Sequence, residues 1–310
     1  MSREILFLSP VFKECIWGGT RLKAFGYTLP SETVGECWGV SAHPHGDVTV
    51  FGGTYAGMHL SELWTQRRDM FGGIPGTRFP ILTKIIDART DLSIQVHPDD
   101  AYAAAHEHGS AGKTECWYIL DASPGATIVV GHNAPTKDAA AHMIREQRWA
   151  EFIREVPVHK GDFFFIEPGT VHAIKGGTLV LETQQPSDVT YRLYDYDRLQ
   201  NGVPRELHIA ESLAVLTAPF VAVSPPHNPA KTVNTAMEQL VSCPFFTVWR
   251  VRCSGEMQLV QDQPFLVLSV VAGAGTIAGQ PIRAGTHCIV PADYGIIPIV
   301  GTLEMIVSSP

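Results

Sequence analysis

Apolar and polar positions along this chain alternate over short stretches that are repeatedly broken by turn formers. Pro80-Ile-Leu-Thr-Lys-Ile-Ile-Asp87 and Leu92-Ser-Ile-Gln-Val-His97 are apolar runs of strand length. They predict adjacent core strands within a strand-and-turn pattern that holds from the start of the chain to about residue 98. Gly161-Asp-Phe-Phe-Phe-Ile-Glu-Pro-Gly-Thr-Val-His172 predicts a tight turn, a buried aromatic strand, a second turn at Pro168-Gly169 and a histidine opening the next strand. Helical signals are few. Residues 99 to 108 combine an acidic start with alanines and stop at Gly109; a second signal opens at Thr136 and runs towards residue 154. A third covers about Glu206 to Leu216, with apolar residues at 209, 210, 213 and 216 on one stripe.

Pro219, Pro225, Pro226 and Pro229 fall in a stretch with little periodicity, which places a linker at 219–240. It separates a first domain, residues 1–218, from a smaller β domain, residues 241–310, with strands predicted at 245–253, 264–272, 286–290 and 302–307. Gly285-Thr-His-Cys-Ile-Val-Pro291-Ala-Asp-Tyr-Gly295 can be laid over Gly161 to His172 with one residue deleted. Gly295 then falls where His172 stands and Phe265 falls near Glu115, so the second domain is expected to lack metal ligands and to act as support.

The 28 glycines and 22 prolines scattered along a chain with only 17% charged residues are the punctuation of a compact, mainly β protein. A formal net charge of -8 argues against nucleic acid as a partner. No run approaches the roughly 18 apolar residues of a membrane span. The six cysteines include no C-x-x-C pair and sit mostly in apolar patterns, which points to buried free thiols and a cytoplasmic location. Monomer and homodimer are both open.

Candidate chemistry comes from parity. Alternate side chains of a strand share a face, so Gln95 lies with His97, and Lys113 lies with Glu115 and Trp117. With His172 these residues bring two imidazoles, a carboxylate and an amide to one small β-barrel, a set that suits zinc and also admits manganese, iron or cobalt. Three or four protein ligands leave a coordination position for substrate. A histidine after Pro-Gly is ordinarily a loop residue; the coincidence of three segments makes His172 a ligand. Glu115 sits on an apolar strand, where a carboxylate must be paired or coordinated, and Lys113 on the same face is the alternative partner. His43-Pro-His45 and His106-Glu-His108 have metal-like spacing but lie in a proline turn and a polar helix end, and are read as surface residues. Trp17-Gly-Gly19 and Glu36-Cys-Trp38 read equally well as a structural turn and a core aromatic.

Ile16-Trp-Gly-Gly19, Gly35-Glu-Cys-Trp38, Pro80-Ile-Leu-Thr-Lys84, Leu92 to Asp99, Gly112-Lys-Thr-Glu115, Pro168 to His172 and Glu182 through Arg198 form an ordered set. Together they resemble the type I phosphomannose isomerases, in their compact bacterial form, within the cupin superfamily. The resemblance implies two cupin-type jelly-roll barrels, with a few short helices inserted in and following the first, and one zinc ion per subunit held by Gln95, His97, Glu115 and His172. It implies that Arg192 is the active-site arginine and that Trp17, Lys84, Ser93, Lys113, Glu182, Asp188 and Arg198 line the pocket. Arginine at 198 where some members have lysine, and Cys37 where many have another small residue, are departures that remove neither a charge nor a ligand. The implied reaction interconverts mannose 6-phosphate and fructose 6-phosphate through an enediol. Lys113 is a candidate base because a neighbouring metal favours loss of its proton, with Glu182 and a water held by the ion as rivals. Two alternatives are a metal-containing cupin that binds sugar or sugar phosphate without catalysis and a metal-dependent cupin oxygenase. The retained lysine and arginine lining favours the isomerase.

Overall fold

Six antiparallel strands form one sheet in the spatial order 163–166, 115–122, 178–184, 82–88, 34–40 and 11–19. The structure, a computed structural model, describes residues 4–222 and 236–310. Strict alternation sorts this sheet's side chains between two environments. Ile86, Ala88, Trp117, Ile119 and Val180 pack with Trp17 in an inner cluster, whereas Ile85, Cys116, Tyr118, Leu120, Leu179 and Leu181 join a separate cluster behind the sheet.

Five further antiparallel strands, 191–194, 94–96, 172–174, 127–132 and 153–157, make the facing sheet. Its Ile128 and Ile174 close the inner cluster, while Ile94, Val96, Val129, Ala173, Tyr191 and Leu193 turn outward onto the helices. The chain is mainly β, as its punctuation predicts, and the two sheets stack as halves of a jelly roll.

The predicted helices appear with informative differences. Helix 100–106 begins after Asp99, whose carboxylate accepts from the Tyr102 amide and satisfies one of the free donors at the helix start. The signal opening at Thr136 becomes two helices, 137–145 and 149–152, because Gln147 between them takes φ +54, a left-handed conformation that no α-helix propagates. The third starts only at Ile209. His208 is held beside strand 191–194, its amide donating to the Arg192 carbonyl and its Nδ1 accepting from the Arg192 amide.

An eight-stranded sheet lies behind the first, in the order 237–242, 247–261, 295–309, 266–277, 287–290, 6–9 and 49–50, with 280–283 also paired to 266–277. The expected division into residues 1–218 and 241–310 is therefore crossed: Leu6 pairs with Ile289, Phe7 with Cys288 and Leu8 with Val50. Adding strand 6–9 covers an edge that would otherwise be open and buries Leu6 and Leu8. On the other side, strand 237–242 begins inside the expected 219–240 linker, and residues 223–235 of that linker lie outside the described residues. Gly161 and Gly285, at φ +92 and +89, each stand two residues before a four-residue strand, the register drawn for the internal repeat. Phe265 is buried against Phe71 and Phe79. All six cysteines are free thiols.

Candidate active site

Cross-strand register assembles the site. In the smaller sheet Arg192 stands opposite Gln95, and Gln95 opposite His172. In the larger one Trp117 stands opposite Glu182, and Glu182 opposite Lys84. The two rows meet between the sheets, where Glu115 Oε1 lies 3.4 Å from His172 Nε2 and Oε2 lies 3.5 Å from His97 Nε2. The Gln95 amide is 3.4 Å from His172 Nε2. His97, Glu115 and His172 are at most 1% exposed.

Backbone carbonyls set the state of both imidazoles. His97 Nδ1 donates to the Val189 carbonyl and His172 Nδ1 to the Thr170 carbonyl, each at 2.8 Å, which leaves both Nε2 lone pairs turned towards Glu115. Burial, followed by the Lys113 ammonium, depresses both rings, His172 to about 4, so they are neutral and available as ligands at neutral pH.

These residues fit a divalent ion. Glu115 Oε1 is buried without a hydrogen-bond partner, the state of a ligand oxygen lacking its cation. The Lys113 ammonium donates to Glu115 Oε2 and lies 3.0 Å from His97 Nε2 and 3.5 Å from Glu182 Oε1, so one positive group already stands among the donors. Lys84 bridges Glu36 at 3.3 Å and Glu182 at 3.2 Å. Three carboxylates (36, 115, 182) face two ammonium groups (84, 113), an excess of one negative charge. Two imidazole nitrogens and a carboxylate match the preferences of zinc, and the Gln95 side-chain amide stands beside them.

The charged groups around this centre are strongly differentiated. Burial opposes the charge on Lys84, but Glu182, Glu36 and Glu115 outweigh it and hold Lys84 protonated above the ordinary lysine range. Burial likewise opposes ionised Glu182, yet Lys113 and Lys84 hold it below the usual carboxylate range. Glu115 is raised by burial and by Glu182. Arg192 donates from Nη1 to the Glu206 carbonyl at 2.8 Å, and its Nε is buried and unpartnered.

The other predicted positions spread outward. Ser93 is buried. Trp17 is only 5% exposed, with its ring against Gly35, where a Cβ would come within 2.5 Å. Asp188 sits at the rim, 2.5 Å from His45 Nδ1 and 3.6 Å from His43 Nε2, on the wall of a cleft of about 440 Å³. His43 is thus half-buried and tied to a candidate site residue, beyond a surface role. His43 Nδ1 accepts from the His45 amide, which puts the proton of the neutral ring on Nε2, towards Asp188, and unsuits that trio as a metal site. Arg198 donates to the Asp91 and Asp195 carbonyls and the Asp195 carboxylate. Glu36 and Arg205 were not among the predicted positions. Glu36 carried the same signal as Glu115, a carboxylate on a strand of otherwise apolar residues, and it accepts from Trp38 Nε1 at 2.6 Å as well as pairing with Lys84.

Among known proteins, a family model described as phosphomannose isomerase type I, catalytic domain, matches residues 5–118, and one described as mannose-6-phosphate isomerase, cupin domain, matches residues 236–310. Mannose-6-phosphate isomerase ManA of Bacillus subtilis is 48% identical over 99% of this chain and 99% of its own length. The mannose-6-phosphate isomerase of Streptococcus mutans is 46% identical over 98% of each. The crystal structure of a B. subtilis mannose 6-phosphate isomerase superposes with a TM-score of 0.96 at 45% identity, covering 99% of this chain and all of that one. A mutant phosphomannose isomerase from Salmonella typhimurium, at 16% identity and a TM-score of 0.78 over 99% of each chain, shares the fold.

Proposed function

Since the chain belongs to the type I phosphomannose isomerase family, we propose that it interconverts mannose 6-phosphate and fructose 6-phosphate at the centre between its two sheets. It is a metal-dependent isomerase, and we take the metal to be zinc, held by Gln95, His97, Glu115 and His172. The observation that carries this reading is the donor set itself, two neutral imidazoles and an unpartnered carboxylate oxygen with Lys113 among them, Lys84 on the adjoining Glu182 and Arg192 opposite Gln95. Relatives named as isomerases along the whole chain favour catalysis over mere sugar binding.

Moving a proton between C1 and C2 of the open-chain sugar develops an oxyanion that needs positive charge close by. Zinc would supply polarisation of the sugar oxygens and fix their orientation. As the neutral amine that a neighbouring metal ion would favour, Lys113 would take the proton from one carbon and return it to the other, with Glu182 Oε1 3.5 Å from its Nζ. Lys84, kept protonated by Glu36 and Glu182, is a fixed cation rather than a base. Arg192 stabilises the enediolate. Ser93 and Arg198 take the phosphate end, and Trp17 and Asp188 bound the sugar. Residues 1–218 carry the site and 241–310 support it from behind. Free thiols favour a cytoplasmic location; no described helix is long and apolar enough to cross a membrane.

The test is a coupled isomerase assay on mannose 6-phosphate with chelator-stripped protein titrated with zinc, with metal content read in parallel. Activity that vanishes and returns with about one equivalent is the expected result. Stoichiometric zinc binding without turnover would overturn the catalytic reading.

A further inference from the structure

Among the described residues hairpin 199–204 pairs with no other strand, and its tip, Asn201-Gly202, takes φ values of +55 and +81, the turn that suits a two-residue β-hairpin. Immediately after it the chain delivers Arg205 to the Asp195 carboxylate. Arg205 Nε donates to Asp195 Oδ2 at 2.8 Å and Nη2 to Oδ1 at 2.5 Å, a bidentate fork. Arg198 Nη2 donates to the same Oδ1, also at 2.5 Å. Asp195 is only 4% exposed.

We propose that Arg205 is a positioning residue for the substrate's phosphate: by gripping the shared carboxylate it fixes Arg198, and it adds a second guanidinium to the phosphate end of the site. This rests on the reading that Arg198 binds the phosphate.

Charge supports it beyond the fork: Arg198 and Arg205 share one buried carboxylate, an excess of one positive charge. The nearby acids do not cancel it, since the Glu206 carboxylate is 84% exposed and points to His208 and the Asp91 carboxylate goes to the Gly176 amide and Lys175. A phosphate dianion supplies the missing charge.

The experiment compares the zinc holoenzyme with Arg205→Gln and Arg205→Lys. Arg205→Gln should raise KM for mannose 6-phosphate at least ~10-fold with kcat within ~3-fold, the split expected when uniform binding is lost. Arg205→Lys keeps the charge but not the fork and should still raise KM at least ~5-fold. Calorimetric affinity for inorganic phosphate should fall in parallel, at unchanged zinc content. An unchanged KM and phosphate affinity in Arg205→Gln, or full recovery of both by lysine, would overturn the positioning role. If the wild type does not isomerise mannose 6-phosphate, the function above fails, and phosphate calorimetry on wild type and variants still decides the role of Arg205.

Discussion

Replacing Arg192 by alanine separates turnover from metal binding. In the fold the side chain has little to lose. Its hydrogen bond from Nη1 to the Glu206 carbonyl lies on an exposed segment where water can replace the donor, a cost of about 1 kcal/mol. That cost is offset in part because the substitution removes a buried, unpartnered Nε and the repulsion from Arg205. The net change should move the melting temperature by no more than ~4 °C in a chain of this size. Turnover should behave otherwise. A preorganised donor aimed at a developing oxyanion contributes on the order of 3 to 4 kcal/mol, so kcat should fall ~100- to 1,000-fold. Zinc content should stay at one equivalent, because the hydrogen bonds of Arg192 go to Glu206 and His208 and not to His97, Glu115 or His172. Steady-state kinetics, metal analysis and a thermal melt on the same preparation make the test. Loss of zinc together with activity would show that Arg192 holds Gln95 in register rather than acting on the enediolate. A kcat within ~10-fold of wild type would remove it from the chemistry altogether.

Lys84→Met leaves the buried Glu182 and the partly buried Glu36 carboxylates without their shared counter-ion and should destabilise the fold by about 3 to 5 kcal/mol at neutral pH, with partial recovery on acidification as Glu182 takes up a proton; denaturant titration at two pH values checks it, and a loss under ~1 kcal/mol would refute the pairing. His287 is held down to about 4 by burial, with its Nδ1 paired to Ser269 Oγ. The unfolded chain therefore binds a proton below about pH 6.5 that the folded chain refuses until about pH 4. Stability is complete above the upper value and is lost as pH falls through that window, by on the order of 3 kcal/mol. His172 acts in the same direction in metal-free protein, so His287→Phe should flatten the slope of melting temperature between pH 4 and 6.5 without abolishing it, and an unaltered slope would refute the assignment.

What could be read from the chain was what is local. Parity alone puts Gln95 with His97 and Glu115 with Trp117, because a strand's pleat fixes which neighbours share a face whatever the strand pairs with. Caps at Asp99 and Thr136 were equally local and fixed two helix starts. The left-handed Gln147 left no sequence signal, since nothing in its residue type forbids a helix there. Partners distant in sequence were hidden for a different reason. Glu36 acquires its meaning from Lys84, 48 residues away, Arg205 from a hairpin that returns it to Asp195, and strand 6–9 from an edge some 280 residues on. An ionisable residue in an apolar strand announces that a partner exists, because an unpaired charge there is too costly to keep. It does not announce which partner, since that follows from sheet order. Glu36 and Glu115 carried the same signal, and only the segments around Glu115 supplied the nearby histidines that let it be read as a ligand.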